Sequence, residues 1–187
     1  MKKISYLVIC AVITLLFVVP AREACSQKLE LSGFLIDTHG DSLVARFSID
    51  IDDMEKIKAA LDDGSKLALI CDVRLLKSRM FLWDQSLARQ EIEIGLEKDL
   101  LSKEYDIIFP DRKKSLVSFD RSDFLDQFAD MQARLLPLDS MEPDRKYAVR
   151  IEARLVSKGV PSWIKRTLFF WSWDLAGSIR YEMEFSL

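Results

Sequence analysis

This sequence predicts an α+β fold rich in β-structure: about eight antiparallel strands forming a curved sheet or a sandwich, covered by two helices. Three observations carry that expectation. Apolar and polar residues alternate with a period of two in one segment after another. Two stretches repeat instead at helical spacing. No internal repeat, low-complexity segment or linker divides the chain, so residues 27–187 read as one domain. Strands that alternate in this way bury one face each, which is antiparallel behaviour.

A strand over Lys28 to Asp37 leads through the turn Thr38-His39-Gly40-Asp41 into a second, in which Leu43, Ala45, Phe47, Ile49 and Ile51 share one side. The pair reads as a hairpin. Asp52 then caps a short helix, with Glu55 at capping-box spacing and Met54, Ile57 and Leu61 on one face. Gly64 stands where a left-handed C-terminal residue is wanted. The next strand carries Leu67, Leu69, Cys71, Val73 and Leu75 on one side. Another runs from Met80-Phe81-Leu82-Trp83, with Ala88, Ile92, Ile94 and Leu96 inward and Arg89, Glu91, Glu93 and Glu97 outward. Tyr105, Ile107 and Phe109 mark a shorter strand, which Pro110-Asp111 turns into Ser115 to Phe119.

Ser122 is expected to cap the second helix, in which Phe124, Phe128, Met131 and Leu135 repeat at helical spacing until Pro137. Tyr147, Val149, Ile151, Ala153 and Leu155 form the clearest strand. The last has Ile179, Tyr181, Met183 and Phe185 inward, with Arg180, Glu182 and Glu184 outward. If these two strands are neighbours, the rows Arg150-Glu152-Arg154 and Arg180-Glu182-Glu184 pair by charge.

The compartment is read from the N-terminus. Lys2 and Lys3 precede the apolar run Ile4 to Val19, closed by Pro20: the order of a bacterial export signal. Its sixteen residues are short against the about 20 of a spanning helix, so a cleaved signal is the better reading and an uncleaved anchor the alternative. Ala24-Cys25-Ser26 offers small residues for cleavage before Gln27, while Val19-Pro20-Ala21 is a poorer site. Arg22 and Glu23 do not suit acylation of Cys25 as a lipoprotein. The protein is therefore expected to be exported and periplasmic, or tethered to the inner membrane if the helix stays.

Removing Lys2, Lys3, Arg22 and Glu23 from 27 basic and 30 acidic residues leaves 24 and 29, a net charge of −5. So mixed and mildly acidic a surface argues against nucleic acid as a partner. Cys71 becomes the one mature thiol, at an apolar strand position, and reads as a small buried hydrophobe.

Chemistry is sparse. His39 is the one histidine and sits in a turn; no serine or cysteine has a nucleophile's setting. One His and one Cys cannot furnish a zinc site. Asp50-Ile51-Asp52-Asp53 is the densest acidic cluster, but it reads as a strand end and a cap rather than a calcium loop. No Gly-rich phosphate loop occurs. No catalytic residue, metal or cofactor is expected, and paired carboxylates leave a hydrolase as a distant third class.

From Val160 to Trp173 the chain concentrates three of its four tryptophans within eleven residues, beside Lys165 and Arg166. Trp163, Phe169, Phe170, Trp171 and Trp173 suit an interaction surface, for a partner protein or a peripheral lipid contact. They equally suit a connection whose rings cover the open end of the sheet.

Several short segments, taken in order, resemble a known family: Ala60-Leu61-Asp62-Asp63-Gly64-Ser65-Lys66-Leu67, the strand pair bearing Trp83, Leu101-Ser102-Lys103-Glu104-Tyr105, Tyr147-Ala148-Val149-Arg150, Val160-Pro161 and Trp173-Asp174-Leu175. The chain is similar to the bacterial exported proteins grouped as domain-of-unknown-function family 4390. One departure is Tyr181, where a tryptophan is expected. The resemblance implies an envelope protein of a Gram-negative-type bacterium and supplies no reaction, cofactor or catalytic residue.

Two functional classes follow. One is a non-enzymatic envelope module that binds a protein partner or supports an assembly. The other is a carrier or sensor for an apolar ligand such as a lipid, held in a cavity lined by Phe124, Phe128, Met131, Tyr147 and Met183. A filled core is the plainer use of those five side chains.

Overall fold

The computed structural model describes residues 29–78, 84–143, 145–158 and 174–186. They form two antiparallel sheets and two helices. The alternation read from the sequence becomes β1 (Leu29–His39) and β2 (Ser42–Ile51), paired from Leu29 with Ile51 to His39 with Ser42. Gly40 closes their turn at φ 61°, a conformation that glycine adopts without a Cβ clash. Helix α1 (Met54–Asp62) buries Met54, Ile57 and Leu61, as its spacing predicts. Gly64 follows it at φ 80°.

Three long strands come next in the larger sheet: β3 (Leu67–Lys77), β4 (Gln85–Lys98) and, much later, β8 (Lys146–Ser157). The short β5 (Tyr105–Ile108) and β6 (Lys113–Leu116) extend it beyond β4, and β9 (Asp174–Ser186) beyond β8. Its order is β6-β5-β4-β3-β8-β9. The smaller sheet has the order β1-β2-β7, where β7 spans Met131–Pro137. Residues Phe47, Ile49 and Ile51 of β2 join one apolar cluster with Leu69, Cys71 and Val73 of β3 and Val149, Ile151 and Ala153 of β8. Buried apolar surface of this kind, at roughly 25 cal/mol per Å², is the main force holding such layers together.

The second helix differs from expectation. Helix α2 spans only Arg121–Leu125, a 3₁₀ turn carries Asp126–Phe128, and the chain then straightens into β7. Phe124, Phe128, Met131 and Leu135 match a helical period by coincidence. What decides the outcome is β2, whose second side needs a hydrogen-bonding partner and finds it in residues 131–137. Met131 and Ala133 turn inward at the strand period of two. The strand count among the described residues rises to nine.

Both caps shift as well. Asp53, not Asp52, accepts the backbone N–H of Lys56 at the start of α1. Asp120 caps α2, accepting the backbone N–H of Ser122 at 2.9 Å and its hydroxyl at 2.6 Å. Ser122, read as the cap, is instead a donor to it. Tyr181, expected inward, is 41% exposed, because β9 lies at the sheet's edge. The expected ion pairs between the last two strands do form: Arg150 reaches Glu182 at 2.7 Å and Arg180 reaches Glu152 at 3.2 Å.

Candidate functional site

Rings from the single stretch 105–128 pack together in and against the core. Tyr105 packs edge-on to Phe119 at 5.0 Å, Phe119 meets Phe124 at 4.9 Å, Phe124 meets Phe128 at 5.1 Å, and Phe128 meets Phe109 at 6.3 Å. Such contacts add to the burial of the rings themselves. Beside them, Asp62 at the end of α1 accepts from Tyr105 Oη (2.6 Å), Lys98 Nζ (2.6 Å) and Lys58 Nζ (2.7 Å). Hydrogen bonds from Lys58, Lys98 and Tyr105 hold its carboxyl well below the usual carboxylate range. The cluster fastens the helix to β4 and β5.

The five side chains expected to line a ligand cavity divide among these structures. Phe124 and Phe128 are fully buried members of the ring chain. Tyr147 is buried on β8, its ring 5.8 Å from that of Phe185. Its hydroxyl accepts from Glu142 N (2.8 Å) and donates to Glu142 O (3.2 Å). Met183 is half-buried on the edge strand β9. Met131 alone of the five lines the principal cleft.

That cleft, of about 690 Å³, opens where β7 passes over β4. Gln90 and Ile92 come from β4, Phe109 to Arg112 from the β5–β6 turn, and Asp126, Gln127 and Ala129 to Gln132 from the 3₁₀ turn and β7. Arg46 of β2 clamps Asp130 through both carboxylate oxygens at 3.0 and 3.1 Å, which sets the entry of β7 beside β2. The Arg112 guanidinium lies 4.4 Å from the centre of the Phe109 ring. Asp111 and Asp126 have no ion-pair partner among the described residues. The lining contains apolar, amide and carboxylate groups but no serine, cysteine or histidine.

A second polar concentration lies on the outer face of the larger sheet. Arg74 stands between Arg89 and Arg150, and Asp72 between Glu91 and Glu152, so a row of cations adjoins a row of carboxylates. Burial acts to raise the pKa of Asp72, but hydrogen bonds from Arg74 and Arg89 outweigh it and leave the group ionised below its usual range. The two rows neutralise each other, and the depression among them measures about 170 Å³.

Sequence reading missed the cleft because residues 90, 111, 126 and 132 carry no motif and meet only through folding. The acidic run at 50–53 serves structure: Asp50 Oδ1 accepts from Ile51 N (2.7 Å) and the Asp52 carbonyl from Arg121 (2.9 Å). Among the described residues no group of three or more His, Cys, Asp or Glu is placed to hold a metal. His39 is exposed and Cys71 is buried, as expected. Trp163, Phe169, Phe170, Trp171 and Trp173, the expected interaction surface, lie outside the described residues, as do Met80 to Trp83 and residues 1–28. Among the described residues no helix is long and apolar enough to cross a membrane.

Two antiparallel sheets sharing one core, with a solvent-open cleft where β7 passes over β4, define a β-rich domain with two small helices. Residues 26–184 match the model of the domain of unknown function DUF4390, and the chain belongs to that family. No curated protein and no solved structure matches it.

Proposed function

We propose that this chain is an exported, non-enzymatic envelope protein that works by binding a protein partner. The observation that carries this reading is the contrast between a filled interior and an open cleft. Phe124, Phe128 and Tyr147, the largest candidates for lining a ligand cavity, are each at most 1% exposed and packed against other rings. The accessible concavity, by contrast, mixes apolar and hydrogen-bonding groups as protein interfaces do, and carries no nucleophile. Export rests on Lys2-Lys3 and the apolar run Ile4 to Val19.

A carrier of lipid or another apolar ligand is the second reading, favoured by the cleft's volume, which falls within the roughly 300–1,000 Å³ of ligand sites. Its polar lining weighs against that. Native mass spectrometry on protein purified from its own cell envelope separates the two. A stoichiometric protein partner is the expected result. A reproducible lipid adduct on a partner-free chain replaces the binding module with a carrier.

A further inference from the structure

We propose that the end of the molecule carrying Leu100, Leu101 and Val117 is a membrane-contact site, which seats these side chains in the interfacial layer of a phospholipid bilayer. The attachment is separate from the cleft and does not depend on what the cleft binds.

The six strands of the larger sheet end together on one side, at Leu67, Lys98, Tyr105, Leu116, Ser157 and Asp174. Just beyond that row stand the three most exposed large apolar side chains among the described residues: Leu101 is 96% exposed, Val117 84% and Leu100 70%. Val117 follows Leu116, which is two strands from Lys98, so the two loops are about 10 Å apart. Single exposed apolar residues are ordinary, whereas several at one end form a patch that marks a contact.

The leucine loop is built to leave water. Asp99 N donates to the Glu104 carbonyl at 2.9 Å and Lys103 N to the Asp99 carbonyl at 2.8 Å. Asp99 Oδ1 accepts from Leu101 N at 2.8 Å and from Ser102 N at 3.4 Å, and Ser102 Oγ accepts from Glu104 N at 3.4 Å. The backbone N–H groups of residues 99 and 101–104 are thus satisfied inside the loop, which removes much of the cost of moving it out of water. The same bonds leave few backbone donors for a protein, whose interfaces carry about one hydrogen bond per 100–200 Å². Charges around the loops are largely paired. Lys58 and Lys98 engage Asp62, Lys66 pairs with Glu97, Lys158 with Glu93 and Arg121 with Asp50, while Lys103 adjoins Glu104. Attachment therefore comes from apolar insertion and not from headgroup charge.

The chain's connections point the same way. Leu29 pairs with Ile51, and the next carbonyl, of Asp52, is bonded by Arg121, which lies shortly after Val117. The apolar run Ile4 to Val19 therefore joins the domain at this end, through residues 20–28, which span about 30 Å at most. Residues 159–173, which include three tryptophans, leave after Lys158 and return at Asp174, also at this end. Tryptophan beside aliphatic residues is the composition of a bilayer boundary.

The test uses the mature chain beginning at Gln27 and sedimentation with vesicles of phosphatidylcholine alone or of phosphatidylethanolamine with phosphatidylglycerol. The protein is expected to bind both, and to stay bound in about 0.5 M NaCl, which screens headgroup charge. The triple variant Leu100→Ser/Leu101→Ser/Val117→Ser, changed only at exposed positions, is expected to keep the parent's urea midpoint and to bind about tenfold more weakly or worse. An environment-sensitive dye on Leu101→Cys is expected to shift to the blue when vesicles are added. The same dye on His39→Cys, at the far end of β1, is expected to stay unchanged; buried Cys71 does not compete for the label. If the triple variant's midpoint falls, the dye alone decides. A chain that ignores vesicles, a variant that binds as well as the parent, or binding that salt abolishes overturns the assignment. So does a shift at His39 instead of Leu101, which puts lipid at the opposite end, where residues 79–83 join β3 to β4. A variant that keeps its affinity for vesicles but loses a co-purifying native protein makes this end a protein contact instead.

Discussion

Phe124 and Phe128 stand out at the scale of single residues because each touches other rings while being completely removed from solvent. Truncating Phe124 to Ala leaves a cavity that rigid strands on several sides cannot collapse into. Urea unfolding of Phe124→Ala is expected to show a loss of about 3–5 kcal/mol, the range for large aromatic truncations in a core. Cys71 is chemically silent by the same logic. Burial pushes its thiol up to about 12, so at neutral pH almost none is thiolate. A disulfide reagent is expected to leave Cys71 unmodified in the folded chain and to react fully once denaturant is added. Asp62 behaves oppositely, being charged and anchored by Lys58, Lys98 and Tyr105. A carboxyl whose folded pKa is depressed stabilises the fold above its unfolded value of about 3.9, and that contribution is lost as pH falls through the folded value. Asp62→Asn is therefore expected to be less stable than the parent at neutral pH, with the gap narrowing at about pH 3 in urea titrations. A gap that is constant with pH would show that the carboxylate's charge is not what fastens α1.

Among the elements, the ends of helices and the beginning of β7 carry most of the lesson. Asp52 and Asp53 are equally good caps by composition, and which of them serves depends on where the chain leaves β2. The Asp52 carbonyl is taken by Arg121, while the Asp53 side chain meets the first turn of α1 at Lys56. Asp53→Ala is expected to lower the melting temperature and Asp52→Ala to leave it nearly unchanged, as measured by thermal unfolding. The segment from Phe124 to Leu135 fits both periods. A helical reading satisfies its apolar spacing locally, whereas a strand from Met131 also satisfies one whole side of β2. Tertiary hydrogen bonds settle a contest that propensity leaves nearly even. The turns were legible for a different reason. Gly40 and Gly64 occupy positions of positive φ that other residues adopt at a cost, so the residue type itself announces the conformation.

For the whole molecule, the proposed function rests on export, which is tested at the N-terminus. Protein recovered from the cell envelope and denatured is expected to show the mass of a chain beginning at Gln27, with no acyl group. A mass that includes residues 1–26 would make the apolar run a membrane tether. Local patterns in the sequence determined which face of β2, β3, β4 and β8 is apolar, that α1 exists and where it ends, and that Cys71 is buried, while short motifs pointed to the family to which the chain belongs. These are local properties, written in periods of two and 3.6 and in the special conformations of glycine. Strand order, the conversion of residues 131–137 from helix to strand, the chain of rings from Tyr105 to Phe109, and the cleft between β4 and β7 were decided only by the tertiary structure. Each depends on contacts between residues of different elements, which the spacing of neighbours along one chain does not encode.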